Sequence, residues 1–392
     1  MVPLSRLDAA TAPVSLEELV REALEKNPGL QSALRRVEAQ RRRVSQAQAL
    51  PDPRLSVGWM GNVKPFGVMR DDPSSFRSLT ATQEIPYPGK LKLRGQAAGL
   101  EVEAARWDYE AARRQVVAEV KAAYYEYAYA RKATEVAGKN GDLLERMERI
   151  SEARYRVGKG LQQDVLRAQV EVLRLRQRLT LLEQQTRTAQ ARLNALLGRD
   201  PETPLGPAGA LDPVELAVTL ESLFQSAREN DPSLHREQQR IERQQVLLAL
   251  ARKQYYPDFE VGYTYWNRPL LPDMHGFMVG LNIPVFYRSK QRQEVSEATE
   301  ELLSARRSRE NQEVTVLFAV KEHYLAAQAS QELARLYSQA IVPQSSLALE
   351  SALAAYEVGS VDFQTVLESF STVLNYEADY YRELANVRIA LA

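Results

Sequence analysis

The chain has 392 residues, 51 basic and 51 acidic side chains, three histidines and no cysteine. The balanced charge argues against a nucleic-acid partner, and the lack of cysteine excludes disulfides, thiolate zinc sites and cysteine nucleophiles. No apolar run reaches the roughly twenty residues of a membrane-spanning helix. Residues 1–14 form a polar N-terminal extension without an apolar signal core. We therefore expect either a cytosolic protein or one whose signal sequence has been removed.

Two short helices are predicted at the start of the chain. Ser15, with Glu18 three residues later, predicts a capping box at the beginning of the first helix. This helix is expected to end at Asn27, because Pro28 follows. The second helix is predicted at about residues 30–50.

A hairpin is predicted at about residues 54–85. Apolar side chains alternate with small or polar ones in Arg54–Val63 and in Phe76–Ile85. Each strand has about nine or ten residues, the length of a tilted strand that spans a membrane. The hairpin is thus either part of a membrane barrel or an ordinary small sheet at the end of a helical bundle, and the periodicity leaves both open.

A long helix is predicted from Lys90 to about Val157, a stretch without proline in which apolar residues recur every heptad. At 1.5 Å per residue its length is on the order of 100 Å. The segment GKNG, residues 138–141, is expected to kink or interrupt it.

A turn at residues 155–164 connects the long helix to a returning one. From Leu161 to Leu196 apolar residues follow a spacing of four and three, which predicts a coiled-coil helix of about five heptads. These elements complete a first repeat, residues 15–200, which a linker rich in proline and glycine follows at residues 201–213.

A second repeat, residues 214–392, shows the same landmarks in the same order. Pro53 corresponds to Pro257, and the Ile85-Pro86 corner corresponds to Ile283-Pro284. The second repeat is predicted to begin with helices, one of them from about Leu234 to Tyr255. A hairpin at about 258–284 follows, with strands Phe259–Asn267 and Gly276–Ile283, and then a long helix kinked or interrupted at Pro343, a turn at 356–365 and a return helix.

The return helix of the second repeat carries two adjacent apolar stripes, which predict neighbours on both sides, as for a stave of a barrel. Four strands cannot lie in a bilayer as an open sheet, because their edge groups would stay unpaired. A membrane location therefore requires several copies of the chain to close a barrel. The alternative that the pattern leaves open is a soluble helical bundle capped by small sheets.

Two groups of side chains near the hairpins invite a functional interpretation. The methionines are interpreted as lipid-facing or loop residues rather than as a soft-metal site: Met60, Met69, Met274 and Met278. The aromatic residues are expected in a belt at the membrane interface: Trp59, Tyr263, Tyr265 and Trp266. The sequence shows no catalytic motif and no metal-binding histidine spacing, so we expect no enzyme activity, no metal site and no cofactor.

The order of helix, hairpin, long helix, Tyr-x-x-Gly turn and returning helix, present twice, resembles the outer-membrane efflux factors, the TolC-like channels of Gram-negative bacteria. The resemblance spans about Leu16 to Leu391. It is carried by NPGL at residue 27, the two Ile-Pro corners, RYRVGKGLQQDVLRAQ at residue 154 and AYEVGSVDFQTVL at residue 355. QEIPYPGKLKLR at residue 83, together with LNIPVFYR at residue 281, is similar to the heavy-metal branch with its CzcC- and CusC-like members.

The resemblance implies a mainly α fold with a β-barrel portion. In a homotrimer, long coiled-coil helices would form an α-barrel, and two hairpins per protomer would form a twelve-stranded transmembrane β-barrel. The implied location is the bacterial outer membrane, in contact with its lipid and extending into the periplasm. The implied partners are a periplasmic adaptor (membrane fusion) protein and an inner-membrane pump of the RND type. The chain would be their passive exit duct, for substrates such as heavy-metal cations; the alternative is a soluble oligomeric coiled-coil scaffold without a pore.

In this family the two turns form the periplasmic tip of the tube. The resemblance implies that Gly158 and Gly359 take a left-handed conformation that ends each helix. It also assigns adaptor docking to the tip residues Arg154, Tyr155, Gly158, Tyr356, Gly359 and Asp362.

The resemblance places a closing gate at the same tip. Asp164 matches a carboxylate that hydrogen-bonds across helices to the tyrosine of the second turn, here Tyr356. Glu368 matches one position of an inward acidic ring, which would bring like charges together and attract cations. Val361 and Thr365 stand where the family has an arginine link and a second acidic ring, so the closing contacts are expected to differ. Helix-surface solubility is the alternative interpretation of both carboxylates.

Overall fold

The computed structural model describes residues 14–61, 66–68, 72–268 and 271–392. Within these ranges the helices are α1 (Leu16–Lys26), α2 (Pro28–Gln48), α3 (Lys90–Arg156), α4 (Gln162–Leu196), α5 (Leu220–Asn230), α6 (Pro232–Lys253), α7 (Gln291–Leu336), α8 (Val342–Val358) and α9 (Phe363–Ala390), with a π-helical turn at Tyr337–Ile341. The strands are β1 (Arg54–Met60), β2 (Phe76–Ile85), β3 (Asp258–Asn267) and β4 (Met274–Asn282). None of the helices in the described part of the chain is long and apolar enough to cross a membrane.

The predicted elements are present in the predicted order. The strand β2 has the predicted bounds, and β3 and β4 begin one and two residues earlier than predicted. The first strand ends at Met60 rather than at Val63, and residues 62 and 63 lie outside the described ranges. Ser15 is the N-cap residue of α1, but its hydroxyl donates to the carboxylate of Glu17 at 2.7 Å. The predicted capping box is therefore not formed.

The two long helices differ at the level where both were expected to kink. The helix α3 continues through residues 138–141, so the expected interruption is absent there. Ala137 and Leu144 on either side are buried in the core, and this packing outweighs the roughly 1 kcal/mol that a glycine costs in a helix. In the second repeat the predicted interruption is present as the π-helical turn before Pro343. Proline has no N–H group to continue the regular hydrogen-bond ladder.

Two compact units divide the described chain, and each takes segments from both sequence repeats. The helical unit comprises the described residues up to Gln31, Ala112–Glu229 and Thr315–Ala392. The sheet unit comprises Ser32–Ala111 and Asn230–Val314. The duplication in the sequence therefore does not mark the boundary of a compact unit.

The core of the helical unit lies between α3, α4, α8 and α9. The coiled-coil stripe predicted for α4 contributes Ala168, Leu175 and Leu182, all buried. Both stripes predicted for α9 are buried as well, with Phe370 and Leu374 from one and Val366 and Val373 from the other. The helix α9 thus has neighbours on two sides within a single chain.

The four strands form one antiparallel sheet in the order β1-β2-β3-β4. The two predicted hairpins are joined because β2 of the first repeat pairs with β3 of the second, from Arg77 beside Asn267 to Ile85 beside Phe259. The strands β1 and β4 each pair on one side only. The sheet therefore ends in two free edges among the described residues.

The two faces of the sheet differ in chemistry. Side chains alternate between faces along each strand, and the register places most of the large apolar residues on one face. They include Leu55 and Val57 of β1, Leu79 of β2, Tyr263 of β3, and Phe277 and Val279 of β4. The opposite face carries serine, threonine and glycine, including Ser56, Ser78, Thr80, Thr264 and Gly276. Phe277 is 86% exposed and Val279 is 75% exposed, so the apolar face is not covered by the described chain.

This alternation bears on two expectations. Met60, Met274 and Met278 lie in strands on the polar face, so none of the three is a loop residue, and their contact with lipid stays a prediction; Met69 lies outside the described residues. Trp266 also lies on the polar face, opposite to the other members of the predicted aromatic belt, Trp59, Tyr263 and Tyr265.

Candidate functional site at the paired turns

The two turns of the helical unit have the same backbone geometry. Gly158, after α3, has φ of 70°, and Gly359, after α8, has φ of 82°. Both values lie in the left-handed region, which side chains with a Cβ atom resist. The implied left-handed conformation is present at both positions.

Each turn closes its helix with the same pair of hydrogen bonds. In the first, the N–H of Lys159 donates to the carbonyl of Arg154 at 2.9 Å. In the second, the N–H of Ser360 donates to the carbonyl of Ala355 at 2.9 Å. The glycine N–H groups donate to the tyrosine carbonyls three residues earlier, both at 3.0 Å. These are the bonds of a Schellman motif, which satisfies carbonyls at a helix C-terminus.

The side chain of Arg154 joins the first turn to the second. Its Nη1 donates to the backbone carbonyls of Tyr356 and of Glu357, the latter at 2.9 Å, and its Nη2 donates to the carbonyl of Lys159 at 3.3 Å. The guanidinium group lies over the ring of Tyr356, 4.6 Å from its centroid. The cation thus occupies the C-terminal end of α8, where carbonyls lack helical partners and the helix dipole favours positive charge.

The two turns differ at the tyrosine that the repeat places in both. Tyr155 is 46% exposed, whereas Tyr356 is 4% exposed and packs on Phe363 with ring centroids 5.2 Å apart. The Tyr356 hydroxyl is buried and has no hydrogen-bond partner among the described residues. The expected hydrogen bond from Tyr356 to Asp164 is therefore not formed.

Asp164 influences Tyr356 through its charge. Burial raises the pKa of the Tyr356 hydroxyl, the carboxylate of Asp164 raises it further, and Arg154 lowers it. Asp164 lies in the first turn of α4, where the helix dipole favours a negative charge. It is only 8% exposed, so this carboxylate does not fit the alternative of a solvated helix surface.

Asp362 is the N-cap residue of α9. Its carboxylate accepts hydrogen bonds from the backbone N–H of Thr365 at 2.9 Å and from the Thr365 hydroxyl at 2.6 Å. These bonds, the hydroxyl's first, lower the pKa of Asp362. Thr365 therefore has a local role in starting α9.

Glu368 lies on an exposed groove between α4 and α9. The groove has a volume of about 940 Å³, and Glu368 accepts a hydrogen bond from the side chain of Gln364 at 2.9 Å. The α4 side of the groove contributes Arg167, Glu171 and Arg174. Among the described residues, no group of three or more histidines and carboxylates is placed to hold a metal ion.

The contact between Arg154 and the second turn was not predicted from the sequence. A signal was present, because the position of Arg154 is occupied by Ala355 in the second repeat. Such an asymmetry at one position of a duplicated turn indicates a role that only one copy performs. The repeat alone could not show that this role is a contact with the other turn.

Comparison with known proteins identifies the family. The family described as Outer membrane efflux protein matches residues 19–199 and 223–392. The chain belongs to this family.

Individual members of this efflux family are similar to the chain over most of its length. It is 24% identical to the cobalt-zinc-cadmium resistance protein CzcC of Cupriavidus metallidurans, over 97% of this chain and 88% of CzcC. Its fold matches the outer-membrane channel OprN with a TM-score of 0.80 at 19% identity, over 96% of this chain and 88% of OprN. It matches CusC with a TM-score of 0.79 at 19% identity, over 99% of this chain and 94% of CusC.

The protein is thus an outer-membrane efflux protein with the mainly helical fold, plus a sheet portion, that the sequence predicted. Its family places it in the outer membrane. The matched proteins are channels rather than enzymes. No finding favours the alternative of a soluble coiled-coil scaffold.

Proposed function

We propose that three copies of the chain form a closed duct, which is the exit channel of a tripartite efflux pump. One observation carries this proposal. Within the part of the chain that the structure describes, the sheet has a bare apolar face and two free edges. In a bilayer a sheet is stable only when its edges are paired into a closed barrel. Three copies provide twelve strands, with the apolar face toward lipid and the polar face toward the lumen.

Exposed apolar stripes on the helices support the same assembly. In the helical unit, α4 exposes Leu166, Val170 and Leu173, each between 47% and 60%, on a face other than its buried stripe. Within the same unit α7 exposes Phe318 and Leu325. Contiguous apolar surface of this kind marks a protein interface, and neighbouring copies would cover it in a ring of staves.

The paired turns are proposed as the place where the duct meets its partners and where it closes. A periplasmic adaptor would dock on the tip residues Arg154, Tyr155, Gly158, Tyr356, Gly359 and Asp362, and an inner-membrane pump of the RND type would deliver the substrate. Asp164 and Tyr356 would hold the closed tip through packing and charge. Glu368 is exposed on its groove, and the three copies of this residue in a trimer would form a ring of carboxylates toward the lumen. The negative charge of such a ring attracts cations.

The similarity to the resistance protein CzcC supports heavy-metal cations as the substrates. In a passive duct the choice of substrate is made mainly by the pump. We therefore assign the substrate to the pump and the passage to this chain.

The test combines fractionation with a mass measurement. The expressed protein is expected in the outer-membrane fraction, to require detergent for extraction, and to have the mass of three chains by native mass spectrometry. In planar bilayers it should conduct ions. A monomer that remains in buffer without detergent would contradict the proposal. Metal resistance of cells that carry a metal-type pump and adaptor, with and without this gene, tests the substrate class.

A further inference from the structure

We infer which residues meet where two copies join, a step that rests on the proposed trimer. At this β4–β1 junction, the strand β4 of one copy pairs with β1 of the next so that Leu281 lies directly opposite Val57. Both strands are free edges of the sheet, and both residues are exposed, Leu281 by 53% and Val57 by 66%.

The internal duplication supplies the first argument. Gly58 corresponds to Gly262, because PRLSVGW begins at Pro53 and PDFEVGY begins at Pro257. Thr82 corresponds to Gly280 when the two Ile-Pro corners are aligned. Within one copy Thr82 pairs with Gly262. The β4–β1 junction is the counterpart of the β2–β3 pairing, so Gly280 should pair with Gly58, and the next position pairs Leu281 with Val57.

This register places like chemistry together on both faces of the sheet. On the apolar face, Val279 comes beside Trp59 and Leu281 beside Val57. On the polar face, Met278 comes beside Met60, at the position where Thr80 and Thr264 share a hydrogen bond of 3.0 Å within one copy. The two methionines would then pack on each other across the junction, which accounts for their place on the polar face.

Barrel geometry supplies an independent argument. Arg54, Thr82, Gly262 and Met278 form one row across the sheet, each paired with the next. If Met278 pairs with Met60 of the next copy, the row that starts at position 54 of β1 in one copy reaches β1 of the next copy at position 60. The row is therefore shifted along the strand by six residues per copy. For twelve strands with a rise of ~3.3 Å per residue and a spacing of ~4.7 Å, this stagger gives a strand tilt of about 47°.

The two neighbouring registers each fail at least one of the arguments. Pairing Leu281 with Trp59 gives a tilt of about 55°, well above the roughly 35–45° of known barrels. This steeper register would follow if β4 were matched to β2 through the pairing inside each hairpin instead of through the Ile-Pro corners. The β3–β4 pairing is shifted by two residues relative to the β1–β2 pairing, so the two ways of matching differ by two residues. Pairing Leu281 with Leu55 gives an acceptable tilt of about 35°, but it contradicts the alignment of the repeats. The pairing of Leu281 with Val57 follows the alignment of the repeats, and its tilt of about 47° lies within a few degrees of that range.

Cysteine cross-linking in the full-length protein tests the register, since the chain has no cysteine of its own. Three double variants combine Leu281→Cys with Leu55→Cys, with Val57→Cys or with Trp59→Cys. All three β1 positions share one face and one edge, so within one copy none can reach position 281. A fourth variant, Thr80→Cys with Thr264→Cys, reports a disulfide inside one copy and serves as the control for oxidation.

Disulfides need Cβ atoms about 3.5–4.5 Å apart, and diagonal neighbours in a sheet are about 7–8 Å apart. After oxidation of outer membranes, we expect the Val57 and Leu281 pair to form linked dimers and trimers several-fold more efficiently than the other two pairs. A higher yield for the Leu55 or Trp59 pair would overturn this register while leaving the trimer intact. If only the control pair forms a disulfide, the joining of copies through these edges is itself wrong.

Discussion

At the scale of single residues, the tip depends on an arginine that satisfies the end of a helix in the other repeat. The carbonyls at the C-terminus of α8 accept from Arg154, whose guanidinium also covers the ring of Tyr356. A lysine could bring the charge but not the planar fork, whose two terminal nitrogens donate to carbonyls of the two different turns. The buried hydroxyl of Tyr356 makes no hydrogen bond within the described chain. Tyr356 therefore stabilises the turn through the packing of its ring, and burial favours its uncharged hydroxyl.

Replacing Arg154 should loosen the gate that we propose at the paired turns. Hydrogen bonds from a charged group each contribute about 1.5–3 kcal/mol, so we expect Arg154→Ala to raise the conductance measured in planar bilayers and Arg154→Lys to restore only part of the closure. The matched control is Arg156→Ala. Arg156 is two residues away, but its ion pair with Glu152 is on the surface, with the arginine side chain 73% exposed, and such pairs contribute little. Equal conductance in the Arg154 and Arg156 variants would contradict this role.

Alkaline pH should open the tip through Tyr356. The pKa of this tyrosine is raised above its ordinary value of 10, so the folded tip favours the neutral hydroxyl. The stability that this preference provides is complete below pH 10 and is lost as the pH rises through the higher pKa of the folded state.

We therefore expect conductance to increase above pH 10 in the natural protein and to increase less in Tyr356→Phe, which cannot ionise. At neutral pH, Tyr356→Phe should close as well as the natural protein, because it removes only a buried hydroxyl without a partner. The control is Tyr155→Phe at the exposed tyrosine of the first turn. If Tyr155→Phe and Tyr356→Phe change the alkaline response equally, Tyr356 is not the group responsible.

At the scale of elements, the left-handed glycines should matter more than Gly138 inside α3. A side chain in the left-handed conformation costs roughly 1–2 kcal/mol, and at Gly359 a Cβ atom would also lie 3.3 Å from Nη2 of Arg154. We expect Gly158→Val and Gly359→Val to leave the trimer assembled but to weaken retention of the adaptor in a pull-down. Gly138→Ala, where a Cβ atom meets nothing within 4 Å, is the control and should bind normally. Normal retention by the two valine variants would contradict the assignment of docking to the turns.

The elements also show what the sequence could and could not predict. Heptad spacing predicted α3 and α4 to within a few residues, because long periodic segments reflect burial directly. The break expected at residues 138–141 did not occur, since glycine has only a weak preference and Leu144 and its neighbours anchor the helix by packing. The contact of Arg154 with Tyr356 joins positions 202 apart in the chain. No local pattern encodes such a contact. The family resemblance therefore predicted Asp164 as the hydrogen-bond partner of Tyr356, whereas the structure shows Arg154 in contact with Tyr356.

At the scale of the whole molecule, the alternation of side chains along the strands decides between a membrane channel and a soluble scaffold. A single chain leaves the apolar face bare, and only its surroundings determine whether lipid or protein covers it. Adjacent residues of β1 offer a matched pair for this test. Val57 lies on the apolar face and Ser56 lies on the polar face, and both are exposed in the isolated chain.

Val57→Arg should reduce assembly in the outer membrane, and Ser56→Arg should not. An arginine directed into lipid costs about 2–4 kcal/mol near the middle of the bilayer, whereas one directed into a water-filled lumen remains hydrated. We expect the Val57 variant to yield less trimer in the outer-membrane fraction, measured by native mass spectrometry. The Ser56 variant should assemble normally, and the added positive charge should alter the ion selectivity of the channel. If the two variants assemble equally well, the apolar face is not in contact with lipid, and the barrel must be rejected in favour of a packed sheet.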